Sequence, residues 1–400
     1  MNYYKNKKSV RDIAVNGKIV FLRCDFNVPI DNLGKITDSK RIDESFKTIN
    51  YLLKNGAKLI LCSHLGRPKG TVNPKLSLSP VAEYISDILG ETVGFSTDSV
   101  GDNAKEIVKK LKAGEFRICL LENIRFEPEE EQNDTDFAKK LASYADVYIN
   151  DAFGTCHRSH ASTEAITHFL PSAYGFLIEK EISFVTKALE NPERPVMAIL
   201  GGAKVSDKIN LIESLLDKVD ILAVGGGMTY TFINALGYKV GDSICESDKI
   251  SFAKDLMAKA TEKGVKFLVP VDLKVADEYS ENANFKIVGA DKIPDSWMGL
   301  DIGPKTTEIF SEEISKAKTI IWNGPVGVFE WDNFSSGTKH VAQAVSSSEA
   351  ISLIGGGDSA AAMRKFGFED KVTHISTGGG AFLEYLEKGS LPCLDSLSEK

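Results

Sequence analysis

Nine arginines stand against 39 lysines in this chain, and seven of the nine lie before residue 159. Where lysine carries most of the surface charge, a scarce arginine after an apolar run suggests a use for its planar fork. That fork grips phosphate or carboxylate through two parallel hydrogen bonds. Arg67, Arg125 and Arg158 each follow such a run, in His64-Leu-Gly-Arg-Pro68, Asn123-Ile-Arg-Phe126 and Asp151-Ala-Phe-Gly-Thr-Cys-His-Arg158. Any one of them alone is equally well read as a solvated surface arginine; three after three separate runs point to a shared anion site.

Glycine has the opposite distribution. Every adjacent glycine pair falls after residue 200, in Gly201-Gly-Ala-Lys-Val-Ser-Asp-Lys208, Gly225-Gly-Gly-Met228, Gly355-Gly-Gly-Asp358 and Thr377-Gly-Gly-Gly380. Without Cβ atoms the backbone can come close to a phosphate, and a helix starting just beyond offers free N–H groups and a positive dipole end. Lys204 and Lys208 are spaced i, i+4 where such a helix is expected to begin. Lysines are disfavoured at a helix N-terminus unless an anion lies between them, the alternative being a solvated face. Asp358 suits a plain helix N-cap and also a magnesium ligand, two roles that can coexist.

The elements that must position these residues follow from hydrophobic patterning. Short Val/Ile/Leu runs alternate with amphipathic stretches of helical length, the signature of parallel sheets flanked by helices. Strands are expected at 18–24, 57–63, 117–122 and 146–150, then at 196–200, 221–224, 266–271, 319–322, 351–354 and 372–376. Open parallel sheets bind ligands beyond the carboxyl ends of their strands, where the arginines and glycines fall. An amphipathic segment at 176–190 and the prolines of Asn191-Pro-Glu-Arg-Pro195 separate the two sets. The expected fold class is therefore α/β, with two Rossmann-like three-layer domains joined by a hinge helix. The expected limits are 1–180, a connecting helix and hinge at 181–195, a second domain at 196–385, and a C-terminal segment at 386–400 packing back on the first domain.

Length agrees with two domains, since 400 residues exceed what one core usually supports. The formal net charge of −8 argues against nucleic acid or an anionic membrane as partner, so an anion must be held by a local basic cluster. The start is polar and lysine-rich, with no apolar signal core, and a cytoplasmic location is expected. Six cysteines without a CxxC pair read as buried reduced thiols. There is no GxxxxGK[ST] P-loop, no HRD or DFG set, no HExxH and no GxSxG. Gly355, Gly357 and Ala360 match GxGxxA, but the acid that a dinucleotide site needs after the next strand is replaced by Ser376-Thr377 and three glycines.

Seven motifs, taken in order along the chain, closely resemble the phosphoglycerate kinase family. They are Arg23-x-Asp-Phe-Asn-Val-Pro29, Ser63-His-Leu-Gly-Arg-Pro68, Glu122-Asn-x-Arg-Phe126, Asn150-Asp-Ala-Phe-Gly-Thr-x-His-Arg158, Gly201-Gly-Ala-Lys-Val-x-Asp-Lys208, Trp322-Asn-Gly-Pro-Val-Gly-Val-Phe-Glu330 and Gly355-Gly-Gly-Asp358. The resemblance implies reversible phosphoryl transfer between 1,3-bisphosphoglycerate and ADP, giving 3-phosphoglycerate and ATP with Mg2+, by a monomer. It assigns Asp25, Phe26, Asn27, Arg41, His64, Leu65, Gly66, Arg67, Arg125 and Arg158 to the phosphoglycerate. It assigns Lys204, Lys208, Gly299, Asn323, Glu330, Gly356, Gly357, Asp358 and Ser359 to the nucleotide, with Asp358 on the metal. Arg41, Lys208 and Gly379 would act on the transferring group, and residues 378–380 would face it. Departures are small: Cys156 and Ser159 stand where alanine is common, Ser359 where threonine is common, and 171–175 differs from the usual lead into the connecting helix. Two other readings stay open: a phosphotransferase for another acyl phosphate, and a non-catalytic nucleotide or anion receptor. If transfer is direct, a hinge at 176–195 is expected to close.

Overall fold

A computed structural model of the chain describes residues 4, 6–31 and 33–400. It divides into two compact units, Met1–Ser183 with Gly389–Lys400, and Phe184–Lys388. The division falls inside the helix Phe176–Leu189.

The first unit is built on β1 (Ile19–Arg23), β2 (Lys58–Cys62), β3 (Val93–Phe95), β4 (Ile118–Leu120), β5 (Val147–Asn150) and β6 (Ser172–Tyr174), in the order β3-β4-β2-β1-β5-β6. All pairings are parallel. β1, β2, β4 and β5 are almost wholly buried, as near-continuous apolar runs must be when helices cover both faces of a sheet. The chain steps from β1 to β2 on one side and returns with β5 on the other, which opens a crevice beyond their ends. Register places Arg23 opposite both Cys62 and Asn150, so the residues that follow these three strands emerge level with one another. β3 and β6 were not expected from the pattern, because Val93-Gly-Phe95 and Ser172-Ala-Tyr174 carry no Val/Ile/Leu run.

In the second unit β7 (Val196–Leu200), β8 (Ile221–Val224), β9 (Lys266–Leu268), β13 (Thr319–Asn323), β14 (Ile351–Gly355) and β15 (His374–Ile375) form a parallel sheet ordered β15-β14-β13-β7-β8-β9. Asn323 pairs with Leu200 on one side and Gly355 on the other, which again levels the strand exits. This is the α/β architecture expected. The expectation omitted a second sheet, antiparallel, of β10 (Asp272–Ala276), β11 (Phe285–Gly289) and β12 (Met298–Ile302), in the order β11-β10-β12. Its edge strand β11 is largely exposed and carries no clean apolar alternation, which is why patterning passed over it.

The last segment returns to the first unit from Gly389 rather than from 386, because the helix Gly379–Lys388 runs on to the left-handed Gly389. There the Leu391 amide donates to Tyr4 Oη at 2.7 Å and the Ser398 amide to Ser172 Oγ at 2.9 Å. All six cysteines are free thiols, five of them buried.

The glycines after β7 and β13 have a packing role that precedes any ligand. A Cβ on Gly201 would run into the carbonyl oxygens of Pro325 and Gly324, so the two strand exits touch backbone to backbone. Rigid backbone cannot rotate out of the way as a flexible side chain can. Gly201→Ala should therefore destabilise the second unit by about 1–3 kcal/mol. Trp297, Trp322 and Trp331 all lie in that unit, so tryptophan fluorescence during urea unfolding reads the effect; an unchanged midpoint would contradict it.

Candidate active site in two halves

In the first unit the strand exits are tied to one another by short side chains. After β1, Asp25 accepts from Arg41 Nη1 at 2.9 Å, and Arg41 comes from the first turn of the helix Lys40–Lys54. The Phe26 amide donates to Ser63 Oγ at 2.8 Å, and Asn27 Oδ1 accepts from the Gly66 amide at 2.8 Å, which joins the β1 exit to the β2 exit. After β4, Asn123 caps the turn Ile124–Phe126 by accepting from the Arg125 amide at 3.1 Å, and it also accepts from the Leu65 amide at 3.2 Å. Arg125 then reaches back through Nη1 to the Gly66 carbonyl at 3.0 Å.

Arg125 is 3% exposed and its buried Nη2 has no hydrogen-bond partner. Burial, followed by the neighbouring charge of Arg23, brings its pKa down to about 10. A guanidinium left with unused donors in low dielectric is a place for an anion. Arg158 donates from Nε to His157 Nε2 at 3.1 Å. His64 is 4% exposed, and burial together with Arg23, Arg125, Arg41 and Arg158 holds it well below the ordinary histidine range. Burial, with the charges of Arg125, Arg23, Arg158 and His157, brings His160 to about 3. Of the expected anion residues, the structure thus joins Asp25, Phe26, Asn27, Arg41, His64, Leu65, Gly66, Arg125 and Arg158. Arg67 follows Gly66 but is exposed, so its membership rests on that position. Asp151, first in its motif, does a different job: its Oδ1 accepts from the Leu177 and Ile178 amides, starting the helix Phe176–Leu189, and burial raises it to about 7.

The second unit contains a cavity of about 230 Å³ walled by the backbones of Gly202, Gly226 and Gly227, by Tyr230, Tyr279, Met298, Gly299 and Leu300, and by residues 325–328 with Glu330 and Asp358. Gly299 is required there, because a Cβ would collide with the Tyr230 hydroxyl. Mostly apolar walls, edged by glycine turns and by the carboxylates of Asp242, Glu330 and Asp358, suit a flat aromatic group followed by charged phosphates. Gly299, Glu330 and Asp358 were expected in this pocket. Tyr230, on the helix Thr229–Ala235, and Tyr279, in the turn after β10, were not.

Beside this cavity, Lys208 Nζ makes a close hydrogen bond to Asn323 Oδ1, and Asn323 Nδ2 donates to the Gly355 carbonyl at 2.7 Å. Ser359 is buried, and its hydroxyl accepts from the Gly324 amide at 2.7 Å. Gly356, with φ 94°, caps the helix Gly357–Lys365, a conformation that an L side chain rarely adopts. Asp358 is therefore not the N-cap: it lies exposed in the first turn, free of that duty. Gly379 comes against Gly356, which brings the last glycine run to the one before it.

One electrostatic expectation fails. Lys204 and Lys208 do not share a helical face, because the helix starts at Ile209 after a tight turn at Ser206–Lys208, and Lys204 is exposed in the loop before it. Burial alone singles out Lys208, lowering its pKa to about 8 against the raising effect of Asp207 and Asp358.

Comparison with known proteins decides the family. A family model described as phosphoglycerate kinase matches residues 10–389. The chain belongs to the phosphoglycerate kinase family. It is 54% identical to the phosphoglycerate kinase of Clostridium botulinum (strain Loch Maree / Type A3), over 100% of both chains. It is 53% identical to that of Clostridium kluyveri (strain ATCC 8527), over 99% of both. A solved phosphoglycerate kinase from Coxiella burnetii matches with a TM-score of 0.87 at 40% identity, covering 98% of each chain. One from Pyrococcus horikoshii OT3 gives 0.82 at 32% identity, also covering 98% of each. The two half-sites therefore belong to a kinase, and the readings as a receptor or a kinase for another acyl phosphate are not favoured.

A role for Lys208 in the chemistry would give it a pH signature. Lys208 is cationic below about 8 and neutral above, so kcat/KM, which reports free-enzyme ionisations, should fall as pH rises through that value. Lys208→Arg should abolish this alkaline limb because guanidinium keeps its proton; an identical limb in that variant would assign it to another group.

Proposed function

We propose that the chain moves a phosphoryl group reversibly between 1,3-bisphosphoglycerate and ADP, with 3-phosphoglycerate held by the arginine half-site and the nucleotide by the glycine half-site. The observation that carries this is Arg125, a buried guanidinium with an unused Nη2 donor, set among Arg41, Arg158 and the neutral His64. A substrate with a phosphate at one end and a carboxyl at the other supplies the missing acceptors.

The acceptor carboxylate is already ionised, so no general base is needed. Catalysis then consists of alignment and stabilisation of the charge that spreads over the equatorial oxygens. Lys208, poised beside Asn323 at the exits of β7 and β13, is the cation we assign to the moving group from the nucleotide half-site, and Arg41 the one we assign to it from the phosphoglycerate half-site. The backbone at Gly379, against Gly356, accommodates that group without side-chain hindrance.

The residues present fit a magnesium ion carried on nucleotide phosphates. Asp358 is an exposed carboxylate at the cavity wall, and among the described residues no group of three or more metal-binding side chains forms a cage of its own. When bound, the ion would neutralise phosphate charge. Direct transfer requires both half-sites to engage one phosphoryl group during turnover, which is the reason to assign hinge motion to the segment around the helix Phe176–Leu189. Six free thiols suit the reducing cytoplasm as the place of work. No helix among the described residues is long and apolar enough to cross a membrane.

Removing the Lys208 cation should cost about 3–4 kcal/mol of transition-state stabilisation, so Lys208→Ala should lower kcat by roughly a hundred- to a thousandfold. In the same coupled assay, acetate should replace 3-phosphoglycerate poorly, since it lacks the distal phosphate that the arginines hold. Equal rates with the two acceptors would overturn the substrate assignment.

A further inference from the structure

Beneath the arginine half-site runs a buried polar chain that touches no expected ligand except at its end. Arg23, the last residue of β1, is fully buried. Its Nε donates to Ser162 Oγ at 2.9 Å, its Nη1 makes a close contact with the Cys24 carbonyl, and its Nη2 meets His64 Nδ1 at 3.4 Å. Ser162 is itself fixed from below. Its hydroxyl donates to Glu130 Oε1 at 2.6 Å and its amide to Glu130 Oε2 at 2.8 Å, while the Ala161 amide donates to the Glu130 carbonyl at 3.0 Å. Glu130 is completely buried and supplies the countercharge to Arg23.

The chemistry of the guanidinium then decides the state of the histidine. Arginine has five N–H donors, no acceptor, and does not give up its proton. The ring nitrogen that faces it must therefore offer a lone pair, which makes Nδ1 of His64 the acceptor and leaves the ring hydrogen on Nε2. We infer that Arg23 is a positioning residue that fixes His64 as its neutral Nε2–H tautomer, so that His64 meets the anionic substrate as a hydrogen-bond donor through Nε2.

That last clause rests on the substrate assignment made above; the tautomer does not. The surroundings agree with it from every side. Arg23 faces His64 from β1, Arg41 from the helix Lys40–Lys54, Arg125 from the turn after β4 and Arg158 from the exit of β5, and burial with these four charges keeps the ring from taking a second proton. A neutral donor adds a hydrogen bond to the anion without adding a fifth like charge. The chain of contacts also explains why the tautomer is stable: Glu130 lies in the short helix Pro128–Glu131 just past Arg125, and Ser162 lies just past Arg158, so the exits of three strands hold one imidazole in one state.

The direct test is a long-range proton–nitrogen correlation spectrum of the full chain labelled with 15N-histidine, with His64 assigned by the signal lost in His64→Gln. The expected pattern is a protonated Nε2 and a bare Nδ1, unchanged between about pH 5 and pH 8, where an ordinary histidine titrates. A protonated Nδ1, or an imidazolium pattern appearing within that range, would overturn the inference. Kinetics adds an independent reading. The amide of glutamine can stand where Nε2 stands, whereas that of asparagine stands nearer Nδ1. His64→Gln should therefore keep KM for 3-phosphoglycerate roughly tenfold lower than His64→Asn does, the scale of one hydrogen bond to a charged group, with KM for ATP unmoved in both. The reverse order would contradict an Nε2 donor. If the spectrum shows the expected tautomer while both variants keep the wild-type KM, the tautomer stands and the placing of His64 on the substrate is overturned instead.

Discussion

Four guanidinium groups, those of Arg23, Arg41, Arg125 and Arg158, press on one buried imidazole in a chain whose net charge is −8. Like charges gathered where water is scarce repel one another, and the protein relieves this only in part. Asp25 pairs with Arg41, Glu130 opposes Arg23, and Glu131 lies 3.4 Å from Arg125. The cost shows at Arg125, whose pKa drops to about 10, and in two histidines that stay neutral rather than add to the charge. An anion of the right length would relieve the repulsion and satisfy the idle Arg125 donor at once. The parallel sheet makes the gathering possible, because its register sets Arg23, Cys62 and Asn150 level and so brings unrelated loops to one rim.

The second unit solves the complementary problem with backbone rather than charge. Its strand exits are crowded with glycine, and several of these glycines are needed simply for the exits to touch, as at Gly201 against residues 324 and 325. The same bare backbone lines the cavity at Gly202, Gly226 and Gly227. Packing and ligand approach therefore impose one demand on the sequence. Lys208, which burial holds near a pKa of 8, is the exception: a buried cation whose charge a phosphate beside it would favour.

Much of this was legible in the sequence, and what was missed shares a cause. Uninterrupted apolar runs such as Ile19–Arg23 and Val196–Leu200 announce buried parallel strands, and ligand residues are then sought just after them. Strands without a Val/Ile/Leu run, such as Val93–Phe95 and Ser172–Tyr174, and an edge strand such as Phe285–Gly289 with an exposed face leave no such trace, so Tyr279 was missed with the sheet beside its pocket. The Lys204–Lys208 spacing misled because a turn at Ser206–Lys208 precedes the helix, and residue spacing does not reveal where a helix begins. Arg23, Glu130 and Ser162 escaped notice because their roles are set by contacts between distant loops, which one sequence does not display.

Above all, the arginine half-site should be charged for a phosphorylated acid before any nucleotide arrives. Titration calorimetry of the full chain with 3-phosphoglycerate alone, repeated at rising salt and with unphosphorylated glycerate, measures this directly. The expected result is saturable binding that weakens as salt screens the arginines, with glycerate at least about tenfold weaker for want of the phosphate. Binding indifferent to salt, or glycerate bound as tightly as 3-phosphoglycerate, would contradict it.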